Sequence, residues 1–189
     1  MVQKKVGDDC IAGRALGFEP LEHIGCAYAH VGADRFIARC GGGIDHGLAI
    51  DEHVWVSNSP KHTVHRLDVK ANTVIGTFEA GKHPCSGLTA AFGSLWVPLC
   101  GEKDGSGKGL ARISLKDGKL EATLPFEVPQ SEGGIASGAG SVWVMTDAKG
   151  TLSRIDPATN KAVAEISVAP GSYTVAFADN TVWVTSTEK

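Results

Sequence analysis

His83 and Cys85 stand two residues apart in "GKHPCSG" (81–87), and a second cysteine, Cys100, opens "CGEKDGSGKG" (100–109). Imidazole and thiol are the side chains that exchange protons, bind metals and attack electrophiles near neutral pH, so these two loops are the first place to look for chemistry. Further candidates are His46 in "GGIDHG" (42–47), Glu132 in "PQSEGG" (129–134) and Asp147 in "TDAKG" (146–150). The five cysteines (Cys10, Cys26, Cys40, Cys85 and Cys100) form no CxxC and no regular metal spacing, so no zinc or other metal site is expected from them. Counted from a two-residue turn at Phe92-Gly93, antiparallel register sets Cys85 directly opposite Cys100, within disulfide range. The expectation is a bond in an oxidising compartment and two thiols otherwise, with a catalytic thiol as the lesser reading. "EKDGSGKG" (102–109) has the glycines of a phosphate loop without its Gly-Lys-Ser/Thr ending, and reads as an insertion in a surface loop.

Such loops need elements to hold them, and the composition says which. The 189 residues are 42% hydrophobic and 21% charged, ordinary for one globular domain with a core. Eighteen basic against twenty-one acidic residues, without long runs of one sign, give no electrostatic footprint for nucleic acid or an anionic membrane. Twenty-four glycines in clusters such as "GGG" (41–43) fit many turns between short strands. Gly7, Asp8 and Asp9 interrupt the N-terminal segment, which reads as no secretory signal, and no stretch has the length and apolarity of a membrane span.

The four tryptophans reveal a period. Trp55, Trp96, Trp143 and Trp183 are separated by 41, 47 and 40 residues, in "HVWV", "GSLWV", "GSVWV" and "NTVWV". After each of the first three comes an alternating strand ("TVHRLDVKAN", "LARISLKDGK", "LSRIDPATNK") and then another ("TVIGTFEA", "LEATLPFEV", "AVAEISVA"). Four strands per unit of about 40 residues is the pattern of a β-propeller blade. The apolar run Val142-Trp143-Val144 argues for burial on both faces, as between neighbouring blades. Burying one such indole contributes roughly 2–3 kcal/mol. The tryptophans are therefore read as structural, with ligand stacking as the alternative. The fold expected is all-β, a β-propeller of four-stranded antiparallel blades, three full and one partial: 47–86, 87–132, 133–173 and 174–189. Residues 1–22 match nothing, and 23–46 are a candidate for the outer strands of a composite last blade should the chain close on itself, an incomplete ring being the first reading.

"GSVWVMTDAKGTLSRIDPATNKAVAEISVAPG" (140–171) resembles the YVTN-type propeller repeat and, more broadly, the repeats of streptogramin (virginiamycin B) lyases, over about residues 44–189. The resemblance implies fold more strongly than activity. In such propellers the ligand face gathers the loops entering each innermost strand and those leaving the second strand, which here carry His46, His83, Cys85, Cys100, Glu132 and Asp147. The lyases use a histidine, a nearby glutamate and a magnesium ion to open an ester by elimination, which would assign His83 or His46 with Glu132 here. Neither histidine matches the lyase motif. The function expected is accordingly a ligand- or protein-binding module without catalysis or cofactor, a metal-dependent carbon–oxygen lyase being the alternative. The partner expected is a small molecule or protein on the loop face, with no nucleic acid or membrane. Missing blades or a second copy would complete the ring. Relatives of this repeat type imply a periplasmic or secreted location.

Overall fold

The computed structural model describes residues 26–30, 35–40, 43–50, 53–129 and 133–186, with side chains from residue 48 onward. The strands are β1 (Cys26–His30), β2 (Arg35–Cys40), β3 (Gly43–Ile50), β4 (His53–Asn58), β5 (Thr63–Asp68), β6 (Thr73–Glu79), β7 (Thr89–Ala91), β8 (Ser94–Leu99), β9 (Gly109–Ser114), β10 (Leu120–Leu124), β11 (Ile135–Gly138), β12 (Ser141–Asp147), β13 (Thr151–Asp156), β14 (Lys161–Ser167), β15 (Ser172–Ala178) and β16 (Thr181–Ser186). They form four antiparallel sheets: β1 to β6, β7 to β10, β11 to β14, and the pair β15–β16. The strands β3–β6, β7–β10 and β11–β14 are three four-stranded blades, and β15–β16 is half of a fourth.

The repeated residues explain the blades. In the three four-stranded blades the tryptophan strand lies second, and its indole faces an arginine on the blade's third strand: Trp55 opposite Arg66, Trp96 opposite Arg112, Trp143 opposite Arg154. The guanidinium carbons sit 5.5, 4.9 and 5.6 Å from the indole centroids, a cation–π contact in every blade. The indole N–H of Trp96 donates to the Ala91 carbonyl at 3.2 Å, and that of Trp143 to Gly138 at 3.1 Å, so burial leaves neither donor unsatisfied.

The core lies between the sheets. Trp55 and Val64 of the first sheet pack with Leu95, Val97 and Ile113 of the second. Trp96, Leu110 and Leu124 of the second pack with Val142, Val144 and Ile155 of the third. Met145 and Leu152 of the third pack with Val175 of the fourth. The leading strands adjoin one another, β3 beside β7, β7 beside β11, and β11 beside β15. Thr89 and Ser137 join β7 to β11 through a 3.0 Å hydroxyl bond. Gly134 permits the close approach of the third blade to the fourth, because a Cβ there would collide with the Tyr173 carbonyl oxygen.

Two features differ from the sequence expectation. The segment that could have supplied outer strands to the last blade lies beside the first, since β2 bonds to β3 along its whole length and β1 to β2. Among the described residues β15–β16 has no third strand. The second difference is in register. Thr89 opposes Trp96 as a Phe92-Gly93 turn requires, but further out Pro84 bridges Leu99, a two-residue slip. Cys85 and Cys100 are therefore diagonal rather than directly opposed: Cys85 N–H donates to Pro98 O and Cys100 N–H to His83 O, each at 2.8 Å. They are nevertheless joined by a disulfide, with Cα atoms 5.3 Å apart.

Candidate functional site

Three connections on one side of the first two blades build a cluster around His83. The β4–β5 connection is a single 3-10 turn, Ser59–Lys61, with Pro at its start and the Asn58 carboxamide oxygen accepting from Lys61 N–H at 3.2 Å. His62 ends the turn in the left-handed region (φ 60°), and its N–H donates to Ser59 O at 3.2 Å. Its carbonyl accepts from Ala80 N–H at 3.0 Å, which fastens this turn to the β6–β7 connection carrying His83.

His83 is also left-handed (φ 44°). Its N–H donates to His62 Nδ1 at 3.0 Å, and the two rings meet edge to face with centroids 4.6 Å apart. His83 Nδ1 lies 3.3 Å from Ser59 Oγ, and its Nε2 lies 3.1 Å from Glu102 Oε2. A carboxylate only accepts, so with Glu102 ionised it is Nε2 that carries a proton in this contact. The other carboxylate oxygen, Oε1, meets Lys82 Nζ at 3.2 Å. The hydrogen bond from Lys82, helped by the nearby His83, holds the Glu102 carboxyl below the usual carboxylate range. The β8–β9 connection that carries Glu102 folds on itself, Glu102 N–H donating to Ser106 O at 2.8 Å and Gly105 N–H to Glu102 O at 2.9 Å.

The disulfide clamps both loops, Cys85 standing two residues after His83 and Cys100 two before Glu102. A cleft of about 670 Å³ opens here, lined among others by Ser59, His83, Gly101 and Glu102. His62, His83 and Glu102 each offer one donor atom within 4.8 Å of the others.

Of the residues singled out in the sequence, His83, Cys85 and Cys100 are brought together. Asp147 is not in this cleft and serves its own hairpin. Its Oδ1 accepts from Lys149 N–H at 2.9 Å and Thr151 N–H at 3.0 Å, and its Oδ2 from the Thr151 hydroxyl at 2.8 Å. Partial burial pushes the Asp147 carboxyl up, but these bonds outweigh it and hold the group low. His46 lies on β3 opposite Ile37, its side chain outside the described residues, as is Glu132 altogether. Sequence reasoning missed Ser59, His62 and Glu102. Their loops, "SNSPKH" (57–62) and "CGEKDGSGKG", both leave a second strand and so belong to the expected ligand face, but no spacing in them marks which residue turns toward His83.

Repeated four-stranded blades, stacked face to face with loops converging on one side, define a β-propeller fold. No protein-family model matches the chain, and no curated protein matches its sequence. Solved structures do resemble it. A streptogramin B lyase structure aligns with a TM-score of 0.54 at 17% identity, over 90% of this chain and 68% of that one. The computationally designed Ika8 protein aligns with a TM-score of 0.59 at 13% identity, over 81% of this chain and 52% of that one. Hydrazine synthase of Kuenenia stuttgartiensis aligns with a TM-score of 0.54 at 13% identity, over 75% of this chain and 45% of that one. The chain thus spans about half the length of the latter two. These identities speak for the fold alone. No helix among the described residues is long and apolar enough to cross a membrane.

Proposed function

We propose that this chain is a β-propeller binding module whose ligand, a small molecule or a segment of protein, enters the loop face at the His83 cleft. The observation that carries this reading is the convergence of Ser59, His83 and Glu102 on one concave site of about 670 Å³, with the disulfide holding two of the three loops in place. A concave site with a few convergent polar groups is where ligands bind most often. The disulfide supports an oxidising compartment, periplasmic or extracellular. Among the described residues the outer edge of β16 is unpaired and Trp183 is exposed, which supports completion of the ring by further blades or by a second copy of the chain.

The alternative, a metal-dependent lyase, has weaker support. A magnesium ion wants oxygen ligands in octahedral array. The described cluster offers two imidazoles and one carboxylate, and Lys82 holds that carboxylate's second oxygen. These residues do not fit magnesium.

The test is a panel of small polar ligands and peptides titrated into the 15N-labelled chain. Amide shifts concentrated at Ser59, His83, Gly101 and Glu102 are expected. Shifts confined to other faces would overturn the site. Magnesium-dependent ester elimination that is lost in His83→Asn would favour the lyase instead.

A further inference from the structure

We infer that His62, His83 and Glu102 form a binding site for a divalent transition-metal ion of the zinc type. The inference rests on the loop face being the binding face and names a ligand for it. Two imidazoles and a carboxylate are a recurrent donor set for zinc, with ligand distances of about 2.0–2.2 Å and one position left to water or substrate. Two such ligands around one tetrahedral ion lie roughly 3.3 Å apart, close to the 3.1 Å between His83 Nε2 and Glu102 Oε2. An ion there takes the place of the proton that joins imidazole to carboxylate. His62 completes the triad from within 4.8 Å.

The surroundings agree. Ser59 Oγ lies 3.3 Å from His83 Nδ1, where it can accept the ring N–H and leave Nε2 free for metal, the usual arrangement behind a histidine ligand. Both histidines hold left-handed backbone conformations, which cost most non-glycine residues stability and gather at functional sites. The cysteines nearby are paired with each other and offer no thiolate, so the donor set is nitrogen and oxygen alone. The cleft in front of the cluster has room for a water or a ligand atom.

Two contacts oppose the ion, and each gives a readout. His62 Nδ1 accepts from His83 N–H, and coordination by either ring nitrogen of His62 requires that bond to be released. Lys82 shares Glu102 and adds a positive charge.

The experiment is calorimetric titration of the oxidised chain with zinc chloride, followed by visible absorption with Co2+ as a tetrahedral reporter. One ion per chain is expected, with a shift of the His83 amide resonance. His62→Asn and His83→Asn keep a residue that tolerates positive φ. Each should weaken zinc at least about tenfold, the loss produced even by removing a residue behind a ligand. Glu102→Gln should do the same, and Lys82→Met should tighten binding. His53→Ala, at the opposite end of β4, should change nothing. Near-UV circular dichroism of the tryptophans monitors the fold, and if an Asn variant does not fold, Glu102→Gln decides. Absence of zinc binding, or zinc bound equally well by the folded variants, would overturn the metal site. Organic ligands could still shift Ser59 and Gly101 in that case, which would leave the binding module standing.

Discussion

Trp96 and Trp183 occupy the same place in successive copies of one repeat, yet the first is fully buried and the second is 59% exposed. Neither differs in local sequence enough to explain this. Trp96 has a third strand behind it carrying Arg112 and another blade across from it, whereas among the described residues Trp183 has neither, the third blade packing instead against Val182 and Val184 of β16. A blade's hydrophobic face is useful only when the next blade covers it, so stability resides in the junctions between repeats. The sharpest way to break this comparison is to truncate both indoles. Trp96→Ala should cost about 3–5 kcal/mol, as large core truncations do, and Trp183→Ala less than about 1 kcal/mol. Urea denaturation followed by circular dichroism checks both. Equal losses would mean that Trp183 is covered in solution, by another copy or by further chain.

The arginines repeat the lesson across the junctions. Arg112 donates to Ser94 Oγ at 2.9 Å, pairs with Glu121 at 3.0 Å, and reaches into the next blade to bond Pro157 O at 2.6 Å and Asn160 Oδ1 at 2.9 Å. Arg66 reaches across in the same way to Leu115 O, at 3.4 Å. Arg154 bonds Ser141 Oγ within its own blade, at 2.8 Å, and among the described residues faces no outer strands beyond. Arg112→Leu is expected to destabilise by about 1–3 kcal/mol, since it strips partners from part-buried polar groups. Arg154→Leu should cost distinctly less in the same urea titration. Equal losses would show that the cation–π contact, present in both, dominates over the junction bonds.

Much of this architecture was legible in the sequence, for a definable reason. A tryptophan every 40 to 47 residues, flanked by alternating strands and turn residues, is a pattern of local geometry, and β5, β6, β9, β10, β13 and β14 start within one residue of the segments it marks. The site was legible only to the level of its loops. His83 was found because its residue type is rare and reactive, whereas Glu102 lies in a loop with three other charged residues at 103, 104 and 108. What selects Glu102 is the backbone of that loop, closed by Glu102 and Ser106, and the disulfide at its base. The diagonal pairing of Cys85 with Cys100 escaped notice because a register slip between Thr89 and Pro84 leaves no mark in alternation.

Equivalent positions also differ chemically, and pH separates them. The buried site on the third strand is His65 in the first blade, Ala111 in the second and Ser153 in the third, each facing the residue after the second-strand tryptophan. His65 Nδ1 donates to Thr77 Oγ1 at 2.9 Å and Nε2 accepts from the Asn58 amide at 3.3 Å, an arrangement that suits the neutral ring. Burial, aided by the charge of Lys61, pushes its pKa below the ordinary histidine value. A histidine so depressed binds its proton more readily when unfolded. Its contribution is therefore present above about pH 6.5 and is lost as the pH falls toward the lower folded value. Thermal melting between pH 7.5 and 5 should show this decline, and His65→Ser should flatten it. A wild-type melting temperature unchanged through that window would refute the assignment.

The smallest effect asks whether the terminal pair unfolds with the rest. Among the described residues three hairpins turn through two residues of positive φ: Phe92-Gly93 (56° and 75°), Ala139-Gly140 (48° and 71°) and Asp179-Asn180 (50° and 55°). Such type I′ turns match the twist of the strands and favour Asn-Gly, so an alanine at the first position is a poor fit. Ala139 is exposed, and Ala139→Asn should stabilise the chain by roughly 0.5–1 kcal/mol without disturbing a contact. Asp179→Gly changes the equivalent turn of β15–β16, a sheet with no neighbour beyond it among the described residues. If that hairpin opens locally before the other blades, its substitution leaves the global urea transition where it was and alters only hydrogen exchange in β15 and β16. A global shift as large as that of Ala139→Asn would instead make the half-blade part of the same cooperative unit as the buried blades.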